Sequence, residues 1–191
     1  MSSLNNIHSY LKKRGASGPW EISPKPNRKF NYAVVIPAYG ESMYLPPTLL
    51  SLNENNADIL KDTLVVVVIN NAENSPEEIR RSNRQCLELL SSSDYQFSFC
   101  IVDAFSKGLV LSQKHAGVGL ARKIGMDLVL PHLATPQSFL FCTDADTLVS
   151  SHYIKKVKEY FDANNALAAV VGFQHLDSVD SNLEMAIRQY E

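Results

Sequence analysis

Residues 63–90 read "TLVVVVINNAENSPEEIRRSNRQCLELL". The first eight are apolar and β-branched without polar alternation, as in a strand buried on both faces. After the asparagines the signals change to those of a helix start. Ser75 is placed to cap, Pro76 suits the first helical position, and Glu77 and Glu78 complement the helix dipole. A strand covered on both faces and followed by a helix is a βα unit, which predicts an α/β domain with a mostly parallel sheet.

The same alternation extends in both directions. "YAVVIPAY" (32–39) reads as a strand, and "YLPPTLLSLNEN" (44–55) as a helix entered through its prolines. "YQFSFCIVDAF" (95–105), "QSFLFCTD" (137–144) and "ALAAVVGF" (166–173) read as further strands. "GVGLARKIGMDLVL" (117–130), "SSHYIKKVKEYFDAN" (150–164) and "SVDSNLEMAIRQYE" (178–191) read as helices, the last without a stop signal. Residues 1–29 hold a short helix and a Gly/Pro/Ser-rich lead-in, "GASGPWEISPKPNRK", expected to lack regular structure. The expected organisation is therefore 1–29 as lead-in and 30–191 as one Rossmann-like three-layer domain.

Composition excludes several classes. Over 191 residues the net charge is -2, and Lys and Arg are scattered, so no basic track for nucleic acid is present. No stretch has the length and apolarity of a membrane span or a signal peptide. Cys86, Cys100 and Cys142 form an odd set without CxxC spacing, which predicts reduced, packed thiols and a cytoplasmic protein. The P-loop pattern GxxxxGK[ST] and the hydrolase pattern GxSxG are absent, and the five histidines lack zinc spacing.

In a doubly wound sheet, ligands bind where strands end at their carboxyl termini. Four such junctions carry polar groups: Tyr39 and Glu41, Asn70 and Asn71, Arg122, and Asp144 with Asp146. The aspartate pair fits turn chemistry, and it also fits a divalent cation, since hard carboxylate oxygens suit Mg²⁺ or Mn²⁺ completed by water and phosphate. Gly117 and Gly119 open a helix as a phosphate-binding turn does, but Arg122 breaks the dinucleotide fingerprint.

Taken in order, "VVIPAYGESMYLPPTLLSL", "GVGLARKIGMD" and "FCTDADT" resemble the inverting GT-A glycosyltransferases of family 2, with agreement over residues 32–173. The resemblance implies a GT-A fold, a nucleotide-sugar donor with UDP as the default, and a Mg²⁺ or Mn²⁺ cofactor. It implies that Pro37, Ala38, Tyr39 and Glu41 line the nucleoside pocket, and that Asn71 stands where a base-contacting Asp is usual. By the same resemblance Arg122 would lie near the nucleotide, and Asp144 near the ribose and, with Asp146, at the metal. Gly40, Lys123 and the Asn70-Asn71 pair depart from the family pattern. The family's catalytic base lies well downstream of Asp-x-Asp, so it is expected beyond Glu191. The chain is therefore expected to be the donor-binding part of a longer enzyme, inactive alone, whose acceptor the sequence leaves open. Two rivals are an inactive nucleotide-binding module and a sugar-phosphate nucleotidyltransferase; the latter usually carries a Gly-rich basic loop where this chain has "PAYGES".

Overall fold

The computed structural model describes residues 2–91, 94–175 and 177–190. By internal packing the chain divides into two compact units, Met1–Lys158 and Glu159–Glu191. The first is built on a five-stranded sheet of order β1-β4-β3-β2-β5, with β1 Ile22–Ser23, β2 Tyr32–Ala38, β3 Thr63–Asn70, β4 Ser98–Ala104 and β5 Phe139–Cys142. β2 to β5 are mutually parallel, and β1 adds antiparallel to β4 through Ile22 opposite Val102.

The sheet is central because its strands are apolar on both faces. Every residue of β3 is buried. Val65, Val67 and Ile69 join Val34 and Ile36 on one face, against Leu45, Leu49 and Leu52 of α2 (Leu45–Asn53), Leu60 of α3 (Ala57–Lys61) and Cys86 and Leu90 of α4 (Glu77–Ser91). Leu64, Val66 and Val68 join Val35 on the other, against Ala121, Ile124 and Val129 of α5 (Val118–Val129). Each fully buried Val, Leu or Ile side chain contributes roughly 1.5–3 kcal/mol, so only a strand satisfies this run. The result is the three-layer α/β architecture expected.

α5 approaches the sheet closely because Gly125 has no side chain. A Cβ there would lie 2.4 Å from Val35 Cγ1 and 2.8 Å from Val68 Cγ2. Cys86 and Cys100 are buried, and burial pushes their thiols up to about 11, so they are inert at neutral pH. Among the described residues no helix is long and apolar enough to cross a membrane.

Several expectations are corrected. Residues 1–29 form α1 (Ser2–Arg14), and the following stretch, expected to be irregular, contributes β1 to the sheet. Buried Asp127 on α5 draws this segment in by accepting from Tyr10 Oη (3.0 Å) and the Ala16 N–H (2.7 Å), and it also accepts from Lys123 Nζ (2.7 Å) of its own helix. The segment before residue 30 thus pairs with the sheet through β1 and packs on α5 through Tyr10 and Ala16. Ser75 was read as a helix cap. Its hydroxyl instead accepts from the Ala72 N–H at 3.0 Å and meets Tyr39 Oη at 3.2 Å, closing the loop before α4. α3 was missed because a single turn shows no periodicity; Asn56 caps it, its Oδ1 accepting from the N–H groups of Asp58 and Ile59.

In the second unit the strand expected at 166–173 does not form. Leu167 and Val170 are 99% and 97% exposed, and among the described residues no strand pairs with this segment. β-branched composition yields a strand only where a neighbouring edge takes its hydrogen bonds. α6 (Tyr153–Asn164) leads into this unit, and α7 (Ser181–Tyr190) ends it. Asp180 Oδ1 caps α7 by accepting from the N–H groups of Asn182 and Leu183, and Arg188 pairs with Glu184 and Asp177.

Candidate active site

β2 is hydrogen-bonded to β3 on one side and to β5 on the other, so the strand order reverses at β2. The carboxyl ends of the parallel strands around this reversal are where ligands bind in such sheets. A cavity of about 550 Å³ lies there. Pro37 lies near the end of β2 and Tyr39 and Glu41 follow it, Asn70, Ala72 and Asn74 lie at or past the end of β3, and Gln113 lies in the segment after β4. Gly117, Val118 and Arg122 come from α5, and Asp144, Ala145 and Asp146 follow β5.

The turn carrying the two aspartates is held from α2. Buried Thr48 donates its hydroxyl to the Ala145 carbonyl at 2.7 Å. One turn on, Ser51 Oγ accepts from the Val149 N–H at 3.1 Å. Next, buried Asn55 donates to the Ser150 carbonyl and accepts from the Ile154 N–H. Thr48 and Ser51 on α2, and Asn55 two residues past its end, together fix the loop that bears Asp144 and Asp146.

Asp144 forms an ion pair with Arg122 across the cavity wall. That bond raises the guanidinium further above its ordinary value, so Arg122 stays cationic. Among the described residues Asp146 has no hydrogen-bond or ion-pair partner. Glu41 has its carboxyl pushed up, first by burial and then by the charges of Asp146 and Asp144. Three carboxylates thus face one guanidinium, leaving an uncompensated negative field in a partly enclosed space. Gly117 brings no capping side chain to α5, so its first-turn N–H groups border the same space.

The donor set fits a divalent cation. Among the described residues no three His, Cys, Asp or Glu side chains cluster closely enough to wrap an ion unaided. Mg²⁺ and Mn²⁺ need less, since one or two carboxylates with phosphate and water oxygens complete the shell.

Of the residues singled out in the sequence, Pro37, Tyr39, Glu41, Arg122, Asp144 and Asp146 meet in this cavity. Ala38 is buried in the sheet. Asn71 is buried behind the wall: its Nδ2 donates to the Ala72 carbonyl and its Oδ1 accepts from Asn83 Nδ2 at 3.1 Å. Asn83 was not anticipated. Fully buried on α4, it also accepts from the Gly40 N–H at 2.9 Å and donates to the Asn70 carbonyl at 2.9 Å. One amide therefore locks the loops after β2 and β3 together. Gly40 sits there at φ 75°, with Ile79 Cδ1 2.6 Å from where a Cβ would stand. A fully polar residue within the buried face of an amphipathic helix is the signal that could have found Asn83.

The family model described as "Glycosyl transferase family 2" matches residues 33–189. The chain belongs to glycosyl transferase family 2. Its sheet is the GT-A fold of that family, and the cavity lies between the segments that carried the resemblance. Among solved structures, S. aureus TarS 1-349 in complex with UDP-GlcNAc is 14% identical with a TM-score of 0.48, over 75% of this chain and 37% of that one. The mannosyltransferase PcManGT from Pyrobaculum calidifontis, in complex with GDP-Man and Mn²⁺, is 18% identical with a TM-score of 0.47, over 89% of this chain and 41% of that one. The chain thus spans about two fifths of the length of these enzymes. No curated protein matches it significantly in sequence.

Proposed function

We propose that this chain binds the donor in an inverting, divalent-metal-dependent glycosyltransferase that moves a sugar from a nucleoside diphosphate to an acceptor hydroxyl. The observation that carries the reading is the gathering of Glu41, Asp144 and Asp146 with Arg122 in one cavity at the switch point of the sheet. Asp146, with Asp144, would hold Mg²⁺ or Mn²⁺, whose charge offsets that of the leaving diphosphate. Arg122 supplies a fixed cation beside that group, and the first-turn N–H groups of α5 supply donors to phosphate oxygens. Pro37, Ala38, Tyr39 and Glu41 shape the nucleoside side, with Asn71 supporting the wall. Uridine is the default base. The catalytic base belongs to a part of the enzyme beyond Glu191, and three free cysteines fit a cytoplasmic location.

A second reading, a binding module without chemistry, is favoured by the second unit. Its acids Asp177, Asp180 and Glu184 are occupied in an ion pair, a helix cap and an ion pair, respectively. Thermal-shift measurements with UDP, GDP, CDP and dTDP, each with and without Mn²⁺, test the site. A ligand at 100 times its Kd adds about 2.7 kcal/mol of stability. The expected result is a Mn²⁺-dependent shift lost in Asp146→Ala. No shift with any nucleotide overturns the donor site, and transfer by a longer chain containing this one separates enzyme from module.

A further inference from the structure

The loops that form the cavity differ in chemistry across the sheet. Its three carboxylates gather at the β5 and β2 ends, where Arg122 pairs with Asp144. Neutral amides occupy the β3 and β4 ends, through Asn70, Asn74 and Gln113. From β5 to β4 is three strand spacings of about 4.8 Å, or roughly 14 Å, enough to separate a diphosphate from the base of one nucleotide. The amide end offers side chains that are uncharged and able both to donate and to accept hydrogen bonds.

Those amides are not equally available. Asn70 donates twice from Nδ2, to the Ala38 carbonyl at 3.0 Å and the Val68 carbonyl at 3.2 Å, so it has no proton left for a ligand. Asn71 is spent on Ala72 and Asn83, and its main chain on Ala104 and Leu111. Among the described residues the side chains of Asn74 and Gln113 have no hydrogen-bond partner. They are also placed together. A parallel bridge pairs Ala72 with Leu111, supported by the Leu111 N–H donating to the Asn71 carbonyl at 3.0 Å. Asn74 and Gln113 each follow that bridge by two residues, in turns, and both border the cavity. Leu111 is fully buried, which anchors the loop that carries Gln113.

We propose that Asn74 and Gln113 are the residues that select the base of the bound nucleotide, by donating to its keto oxygens, in place of the Asn71 position that the family pattern suggests. This rests on the reading that a nucleoside diphosphate occupies the cavity. Uracil offers O4 as an acceptor where cytosine offers an amino donor. A side-chain amide can donate to that keto group, which a carboxylate, able only to accept, cannot; a carboxylate serves the amino group alone.

The test is calorimetric titration of the whole chain with UDP, with CDP and with inorganic pyrophosphate, each with Mn²⁺. It compares the unmodified protein with the double variants Asn74→Asp/Gln113→Glu and Asn74→Ala/Gln113→Ala. Both side chains are exposed, so folding is not at stake. Expected is a UDP-to-CDP affinity ratio that falls at least tenfold in the acidic variant and approaches one in the alanine variant, with pyrophosphate affinity preserved in the alanine variant. A ratio unchanged in both variants overturns the assignment and leaves the donor site standing. An unmodified chain that binds UDP and CDP equally also overturns it, since no base is then being read. Failure of the unmodified chain to bind any of the three removes the donor site itself.

Discussion

Replacing Asn83 by Asp changes one nitrogen to oxygen and tests whether a buried amide holds the cavity's loops. Asn83 is 0% exposed, accepts from Gly40 and donates to Asn70 and to Asn71. In Asn83→Asp the bond from Gly40 survives, but both donated bonds are lost, at about 1 kcal/mol each. The new carboxylate would be buried and face acceptors. Both effects raise its folded pKa above the unfolded value of about 3.9, by about 3 units for a fully buried group. The sign follows from linkage. Below the unfolded value the acid is protonated in both states and its O–H replaces one lost donor. As pH rises through the raised folded value, an added cost of about 4 kcal/mol develops and then levels off. Against a typical total of roughly 5–15 kcal/mol that is a large share. Urea denaturation followed by the fluorescence of Trp20, the single tryptophan, measures it at pH 5 and pH 8. The variant should lose substantially more stability at pH 8 than at pH 5, whereas Asn83→Ala should cost about 3 kcal/mol at both. An Asp variant within 1 kcal/mol of the parent at both pH values would refute the lock.

Gly125→Ala should destabilise by about 1–3 kcal/mol, because the added methyl meets Val35 and Val68 at 2.4 and 2.8 Å. Helix propensity alone predicts the opposite sign, a gain of about 1 kcal/mol, so the direction in denaturant decides between them. Asp127→Ala removes the acceptor shared by Tyr10, Ala16 and Lys123 and should cost about 2–4 kcal/mol, with proteolysis first in residues 1–20; a protease pattern unchanged from the parent would show that α1 is held by other contacts. The raised Glu41 carboxyl favours the folded, cation-free chain below its unfolded value, a contribution lost as pH rises through its folded value. A cation reverses that preference by favouring the ionised form. The Mn²⁺-induced rise in Tm should therefore shrink as pH falls from 7 toward 5, and Glu41→Gln should flatten that dependence while stabilising the metal-free chain at pH 7.

Much of the site was legible because its chemistry is tied to strand ends. The apolar runs at 32–38, 63–70 and 139–142 locate three carboxyl termini by hydrophobicity alone, and Glu41, Asp144 and Asp146 lie just past two of them. Arg122 was readable only as a cation one turn into a helix; its pairing with Asp144 needs two segments 22 residues apart to meet. Asn74 and Gln113 carried no signal, since both lie in loops where amides are common and only the fold brings those loops together, through the Ala72–Leu111 bridge.

The sequence by itself determined the βα alternation and the class of the domain, because periodicity and capping act over a few residues and hydrophobic burial needs no partner's identity. Tertiary structure decided which polar groups remain for a ligand. Asn70, Asn71, Asn74 and Asn83 are the same residue type within fourteen positions, yet three are committed to neighbours and one is open to the cavity. It also decided that residues 166–173 are not a strand, since a strand exists only when an edge is there to receive it. Hydrogen bonding is pairwise and directional, and its partners are chosen by the packing of distant segments.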